Sequence, residues 1–151
     1  MIKKIRTTAD NNDFNELIKR LNAELRERYV DQETKFAPHN ILSTDVKTVL
    51  IYYNNLAIAC GSFREDKQID TVEIKRMYVE KEYRSNGFGK IVLIELERWA
   101  AELKYKYAIL ETGNNQLEAI KLYQNMGYQK IPNFPPYENI PESICMKKLL
   151  I

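Results

Sequence analysis

The chain has 151 residues, 44% of them hydrophobic and 29% charged, the composition of one ordinary soluble globular domain with enough apolar material for a core. Its formal net charge of +2 is too balanced to argue for a nucleic-acid partner on bulk charge. No apolar run approaches the ~18 residues of a membrane span, and the basic start Met1-Ile2-Lys3-Lys4 lacks the apolar stretch of a signal peptide.

Residues 2–8 read as a first strand. A helix follows over about 13–29, with Asp13 as its acidic cap, Glu16 three residues on, and Phe14, Leu17, Ile18, Leu21 and Leu25 at helical spacing. Residues 30–46 are polar and poorly patterned. Residues 46–53 and 56–64 are β-rich and joined by Asn54-Asn55, a hairpin turn. A fourth strand spans 71–79. A long helix opens at Gly87 or Phe88, with Val92, Leu96, Trp99 and Leu103 on one face and Glu95, Arg98 and Glu102 elsewhere. A buried strand at 107–111 and a helix at 116–126, closed by Gly127, come next, and the last strands are 128–131 and 143–150. Between those strands lie four of the five prolines, in a stiff loop carrying Phe134 and Tyr137. The order β-α-β-β-β-α-β-α-β-β predicts an α+β domain: a mixed, mostly antiparallel sheet of about seven strands with helices on its faces.

The fourth strand changes parity. Val72 and Ile74 share one face by alternation, whereas Met77 and Val79 share the other. An extra residue near Lys75-Arg76, a β-bulge, would restore one apolar face; a strand buried partly on both faces is the alternative.

That strand runs into Arg84-Ser-Asn-Gly-Phe-Gly-Lys90, a glycine turn opening a helix. Unpaired N–H groups at a helix N-terminus and the helix dipole form an anion site. Gly87 and Gly89 let backbone approach a phosphate, and Arg84 and Lys90 add charge. A dinucleotide G-x-G-x-x-G would need glycine at Val92, and a phosphate-binding Walker loop would need Ser or Thr at Ile91.

Arg84, Gly87 and Gly89 instead make Arg-x-x-Gly-x-Gly. With Met77-Tyr78-Val79 before it and Ala119-Ile-Lys-Leu-Tyr123 followed by Gly127-Tyr128 after it, the sequence resembles the GNAT superfamily of acetyl-CoA-dependent N-acetyltransferases. The element order agrees along the chain, and residues 71–128 carry the specific motifs. The resemblance implies that Met77, Tyr78, Val79, Arg84, Ser85, Asn86, Gly87, Phe88, Gly89, Lys90, Gln116 and Tyr123 bind acetyl-CoA. Gln116 departs from the asparagine many members carry. The resemblance also implies transfer of acetyl to a primary amine by direct attack on the thioester.

Such transfer needs an acceptor for the amine's proton (pKa about 10.4), donors for the oxyanion and a proton for the leaving thiolate. Glu73, eleven residues before Arg84 as in one histone-modifying branch of the superfamily, is the candidate base; the plainer reading is an exposed strand glutamate paired with a lysine. Tyr123 is the candidate acid, or else a core aromatic beside Ile120 and Met126. The main-chain N–H of Val79 or a neighbour is the candidate oxyanion donor. Arg26, Tyr29, Phe134 and Tyr137 are candidate acceptor-binding residues, the two loop aromatics as a lid. The acceptor expected is a small-molecule amine or amino acid, then a protein lysine or N-terminus; a non-catalytic acyl-CoA-sensing module is the reading from another class. One histidine, His39, and two distant cysteines, Cys60 and Cys145, give no metal site. A cytoplasmic, single-domain protein without nucleic-acid or membrane partners is expected, and the family allows a homodimer.

Overall fold

The structure is a computed structural model and describes residues 1–28 and 46–150. Its elements are β1 (Ile2–Thr8), α1 (Asn12–Arg28), β2 (Lys47–Tyr53), β3 (Leu56–Glu65), β4 (Thr71–Val79), a 3-10 turn at Lys81–Tyr83, α2 (Phe88–Glu102), β5 (Tyr107–Gly113), α3 (Leu117–Asn125), β6 (Gln129–Ile131) and β7 (Ser143–Leu149). Among the described residues seven strands form one mixed sheet in the order β1-β2-β3-β4-β5-β7-β6, and of these only β4 and β5 pair in parallel.

The local signals explain most of this. Asn54 and Asn55 both take left-handed φ, 48° and 70°, as a tight hairpin requires. The cap of α1 falls earlier than the sequence suggests: Asn11 Oδ1 accepts the Phe14 N–H at 3.0 Å, so Asn11 serves in place of Asp13.

One face of the sheet is covered in two parts. Phe14, Leu17 and Leu21 of α1 pack on Leu50, Cys60 and Tyr78 of the first four strands. Farther along the same face Phe134, Tyr137 and Ile140 pack on Ile109 and Cys145. The proline-rich segment thus does for β5 and β7 what α1 does for β2 to β4. The opposite face packs Val72, Ile74, Ala108 and Leu110 against Val92, Leu93 and Leu96 of α2 and Tyr123 of α3.

The bulge is present. Cys60 pairs with Tyr78 and Ser62 with Lys75, so Gly61 alone faces Arg76 and Met77. Arg76 has φ +60°, a left-handed conformation costly outside glycine. The bulge turns Met77 onto the α2 face, over Gly61, whereas Arg76 reaches Asn22 of α1 through a 3.0 Å hydrogen bond.

A polar tie joins β1 to α2. Arg6 meets Glu95 at 2.8 Å and Glu102 at 2.7 Å, with its guanidinium 5.0 Å from the centre of the Trp99 ring. Burial alone would raise the Glu95 carboxyl, but Arg6 and Lys4 together outweigh it and hold it below the ordinary range. A carboxylate depressed in the folded state adds stability above its unfolded pKa of about 4.3 and loses it as pH falls through the lower folded value. Arg6→Ala is expected to lower stability at pH 7 by about 1–2 kcal/mol, or roughly 2–8 °C in Tm. The gap from the parent should narrow below about pH 4. A gap that stays constant from pH 7 to pH 3 in thermal melts would show that the tie does not set acid stability.

Candidate functional site

The β4–β5 ladder runs only from Thr71 opposite Tyr107 to Ile74 opposite Leu110. Beyond it β4 continues to Val79 along β3, while β5 continues to Gly113 along β7. The two central strands part and leave a gap. The Glu80 N–H donates to Ile58 of β3 at 2.8 Å, and alternation along the strand aims the preceding N–H, that of Val79, the other way, into the gap.

A cleft of about 680 Å³ opens at the tip of β4, between that strand, the start of α2, the face of α3 and Leu21 and Glu24 of α1. Of the twelve residues expected to bind the cosubstrate, all except Asn86 line it. Asn86 shapes the turn instead, its amide donating to the carbonyls of Tyr83 (3.2 Å) and Arg84 (3.1 Å). Gly87 precedes α2 at φ +84°, which an L side chain rarely adopts. The first backbone bond of α2 is Ile91 N–H to the Gly87 carbonyl. The amides of Phe88, Gly89 and Lys90 therefore precede the helical ladder and face outward. A Cβ on Gly89 would stand 3.3 Å from Leu122 Cδ2 and 3.7 Å from Val79 Cγ2, filling the crease between α2 and α3.

Arg84 holds the rim together. Its Nε donates to the Val79 carbonyl at 2.8 Å, a terminal nitrogen pairs with Glu24 of α1 at 2.8 Å, and the guanidinium lies over the Tyr78 ring. Lys81, Lys90 and Lys121 give the cleft an exposed cationic border. Gln116 starts α3 without capping it through its side chain, which lines the cleft. Tyr123 is buried against Tyr128, ring centres 5.9 Å apart. Burial first, and the charge of Glu111 second, raise its phenol well above the usual value, so it stays protonated at neutral pH.

The other candidates lie elsewhere. Glu73 is only 4% exposed and does not line the cleft; its oxygens stand 3.3 Å from Arg64 and 3.5 Å from Lys75. The strand-glutamate pairing weighed from sequence is therefore present, though buried. Phe134 and Tyr137 form no lid, because both are buried in the cluster under β5 and β7. Tyr137 still offers its hydroxyl to Lys75 Nζ at 3.2 Å. Arg26 is exposed on α1 and away from the cleft. Tyr29 and His39 lie outside the described residues. Cys60 is buried, and burial raises its thiol far above the range of a nucleophile. Among the described residues no cluster of His, Cys, Asp or Glu could hold a metal, and no helix is long and apolar enough to cross a membrane.

One functional candidate has no motif. Glu111 of β5 lies just past the last β4–β5 pair and accepts a hydrogen bond from Ser143 Oγ at 2.7 Å. Its only sequence signal is a lone carboxylate after the apolar run of residues 108–110.

Comparison with known proteins agrees with this geometry. Residues 12–128 match the model of the acetyltransferase (GNAT) family. An IAA acetyltransferase of Azospirillum brasilense is 29% identical over 106 residues, 70% of this chain and 69% of that protein. A Klebsiella pneumoniae structure assigned as an acyl-CoA N-acyltransferase superposes with TM-score 0.83 at 28% identity, covering 100% of this chain and 99% of that one. A GNAT acetyltransferase of Elizabethkingia anophelis, solved with acetyl-CoA bound, gives TM-score 0.70 at 22% identity over 99% and 98% of the two chains.

Proposed function

The chain belongs to the acetyltransferase (GNAT) family and is an acyltransferase, and from that premise we propose that it moves an acetyl group from acetyl-CoA to the primary amine of a small molecule or amino acid. The observation that carries this reading is the cleft at the tip of β4, the strand that parts from β5 after Ile74, bordered by free helix amides and cationic side chains.

The residues fit acetyl-CoA. The amides of residues 88–90 and the positive end of α2 suit a pyrophosphate, and Lys81, Lys90 and Lys121 supply charge around it. The crease left open by Gly89 admits a narrow arm between α2 and α3. Acetyl-CoA supplies a thioester whose carbonyl is open to nucleophiles. In the proposed site the Val79 N–H stabilises the oxyanion and Tyr123 gives the sulfur its proton.

The acceptor would approach from the α1 face, opposite Tyr123. Glu73 and Glu111 are the carboxylates that β4 and β5 place on that side of the gap. A small acceptor is favoured because this approach is walled by α1, through Asn22 and Arg76, and by Tyr137 of the proline-rich segment. A flat, open face would suit a protein substrate better.

Thermal unfolding with acetyl-CoA is the direct test. At about 100 times its dissociation constant the ligand should add ~2.7 kcal/mol, raising Tm by roughly 5–10 °C. Adenosine should not reproduce the shift. Absence of any shift at millimolar acetyl-CoA would reduce the 84–89 turn to a helix start and remove the proposal.

A further inference from the structure

We infer that Glu111, on the β5 lip of the gap, is the general base that takes the acceptor amine's proton, from the sheet face opposite Tyr123. The inference rests on the N-acetyltransferase reading above.

Register places the carboxylate. Parallel pairing ends at Ile74 opposite Leu110, so the next residues, Lys75 and Glu111, stand on the two lips where the strands part. Alternation puts both on the face shared by Glu73 and Ile109, the face covered by α1 and the proline-rich segment. Tyr123 comes from α3 on the other face, yet lies near enough for the charge of Glu111 to act on its phenol. A thioester carbonyl held in the gap would thus have a proton donor on one side and a carboxylate on the other.

The carboxylate is also available. Its Oε2 accepts the Ser143 hydroxyl at 2.7 Å, and among the described residues no hydrogen bond engages Oε1. Unlike Glu73 it is not sealed in: it keeps partial exposure, whereas both oxygens of Glu73 face cations. Burial raises the Glu111 carboxyl above its usual range; the Ser143 bond and Lys75 oppose this, and the charge of Glu73 adds to it. A carboxylate lifted in this way is better matched to accepting a proton near neutrality. Glu73 then has a distinct part. Burial pushes the Lys75 ammonium down, and Glu73 sustains its charge opposite Glu111.

The step balances. Glu111 Oε1 takes one proton from the ammonium, and the freed lone pair forms the N–C bond at the thioester carbonyl. As the C–S bond breaks, Tyr123 protonates the sulfur. The surplus proton on nitrogen replaces the one Tyr123 gave, and Glu111 releases its proton to solvent.

The test uses the full chain with acetyl-CoA and a panel of amines: the common amino acids, spermidine and tyramine, followed by release of free thiol. With the fastest acceptor, Glu111→Gln should lower kcat by ~10²-fold or more and keep acetyl-CoA affinity within about twofold. The acidic limb of the kcat–pH profile should vanish in Glu111→Gln and survive in Glu111→Asp at reduced rate. Among the described residues, the groups facing Glu111 are Glu73 and Lys75 from β4, Tyr123 from α3, Tyr137 from the proline-rich segment, and Ser143 and Cys145 from β7. Glu73→Gln is therefore the control, and it should keep the limb. A Glu111→Gln enzyme within about threefold of the parent overturns the assignment. So does an acidic limb that survives in Glu111→Gln, or one that disappears in Glu73→Gln. Failure of the parent to release thiol with any amine overturns the function proposed above, and this inference with it.

Discussion

Replacing Tyr123 with phenylalanine is expected to lower kcat by ~10²-fold or more and to leave acetyl-CoA binding within about twofold of the parent. The substitution removes one oxygen and keeps the ring. The contact with Tyr128 and the packing of α3 on the sheet survive, so the fold should not register the change. What is lost is the proposed donor. Burial and the charge of Glu111 keep this phenol protonated through the whole neutral range. A departing thiolate, whose conjugate acid has a pKa near 8.5, meets a positioned proton at the moment the C–S bond lengthens. An enzyme whose rate-limiting step is that bond cleavage should show the full loss. Turnover within about threefold of the parent would place the sulfur's proton source elsewhere.

The second large effect concerns stability. Gly61→Ala is expected to lower stability by about 1–3 kcal/mol, or roughly 2–12 °C in Tm, and to lower turnover with it. The added methyl would lie 2.6 Å from Met77 Sδ, 2.8 Å from Leu96 Cδ1 and 2.8 Å from Val92 Cγ1. Met77 is a flexible side chain and could yield. Val92 and Leu96 are fully buried on α2 and have nowhere to go. Moving Met77 also disturbs the bulge, and through it the aim of the Val79 N–H two residues on. The double variant Gly61→Ala, Met77→Ala should therefore recover part of the lost midpoint, a non-additive result that separates crowding at the bulge from a general strand effect. Equal Tm values for Gly61→Ala and the parent would mean that the bulge relaxes freely.

The sequence read well wherever the cause was local. The parity switch between Ile74 and Met77 announced the bulge, because side-chain alternation is a property of the strand alone. Asn54-Asn55 announced its hairpin for a similar reason: two adjacent left-handed residues suit few other places. Motif spacing identified the cleft lining almost residue by residue. The failures share a different cause. Glu73 had the right spacing, but nothing local shows that Arg64, nine positions back, and Lys75 would grip its two oxygens. Phe134 and Tyr137 read as a lid because they sit in a long, proline-stiffened loop; their burial depends on Ile109 and Cys145, which arrive from other strands. Glu95 stands off the apolar face of its helix in the sequence, and its burial depends on Arg6, which comes across from β1. Glu111 was invisible because its importance comes from where a ladder stops, and no residue encodes an ending that belongs to two strands at once.

That ending also bears on how the molecule holds together. Four strands stand on one side of the division and three on the other, and four residue pairs make the backbone seam between them. Cooperative units in a protein tend to separate where such bonding is thinnest. Setting aside β6, an edge strand held to β7 by three pairs, the thinnest seam of the sheet therefore runs through its working part. A molecule wedged there would do more than occupy a site: it would brace both halves against parting. The protein would then be hardest to unravel while loaded and easiest once it has let go, so the supply of its own reactant would govern how long each copy lasts.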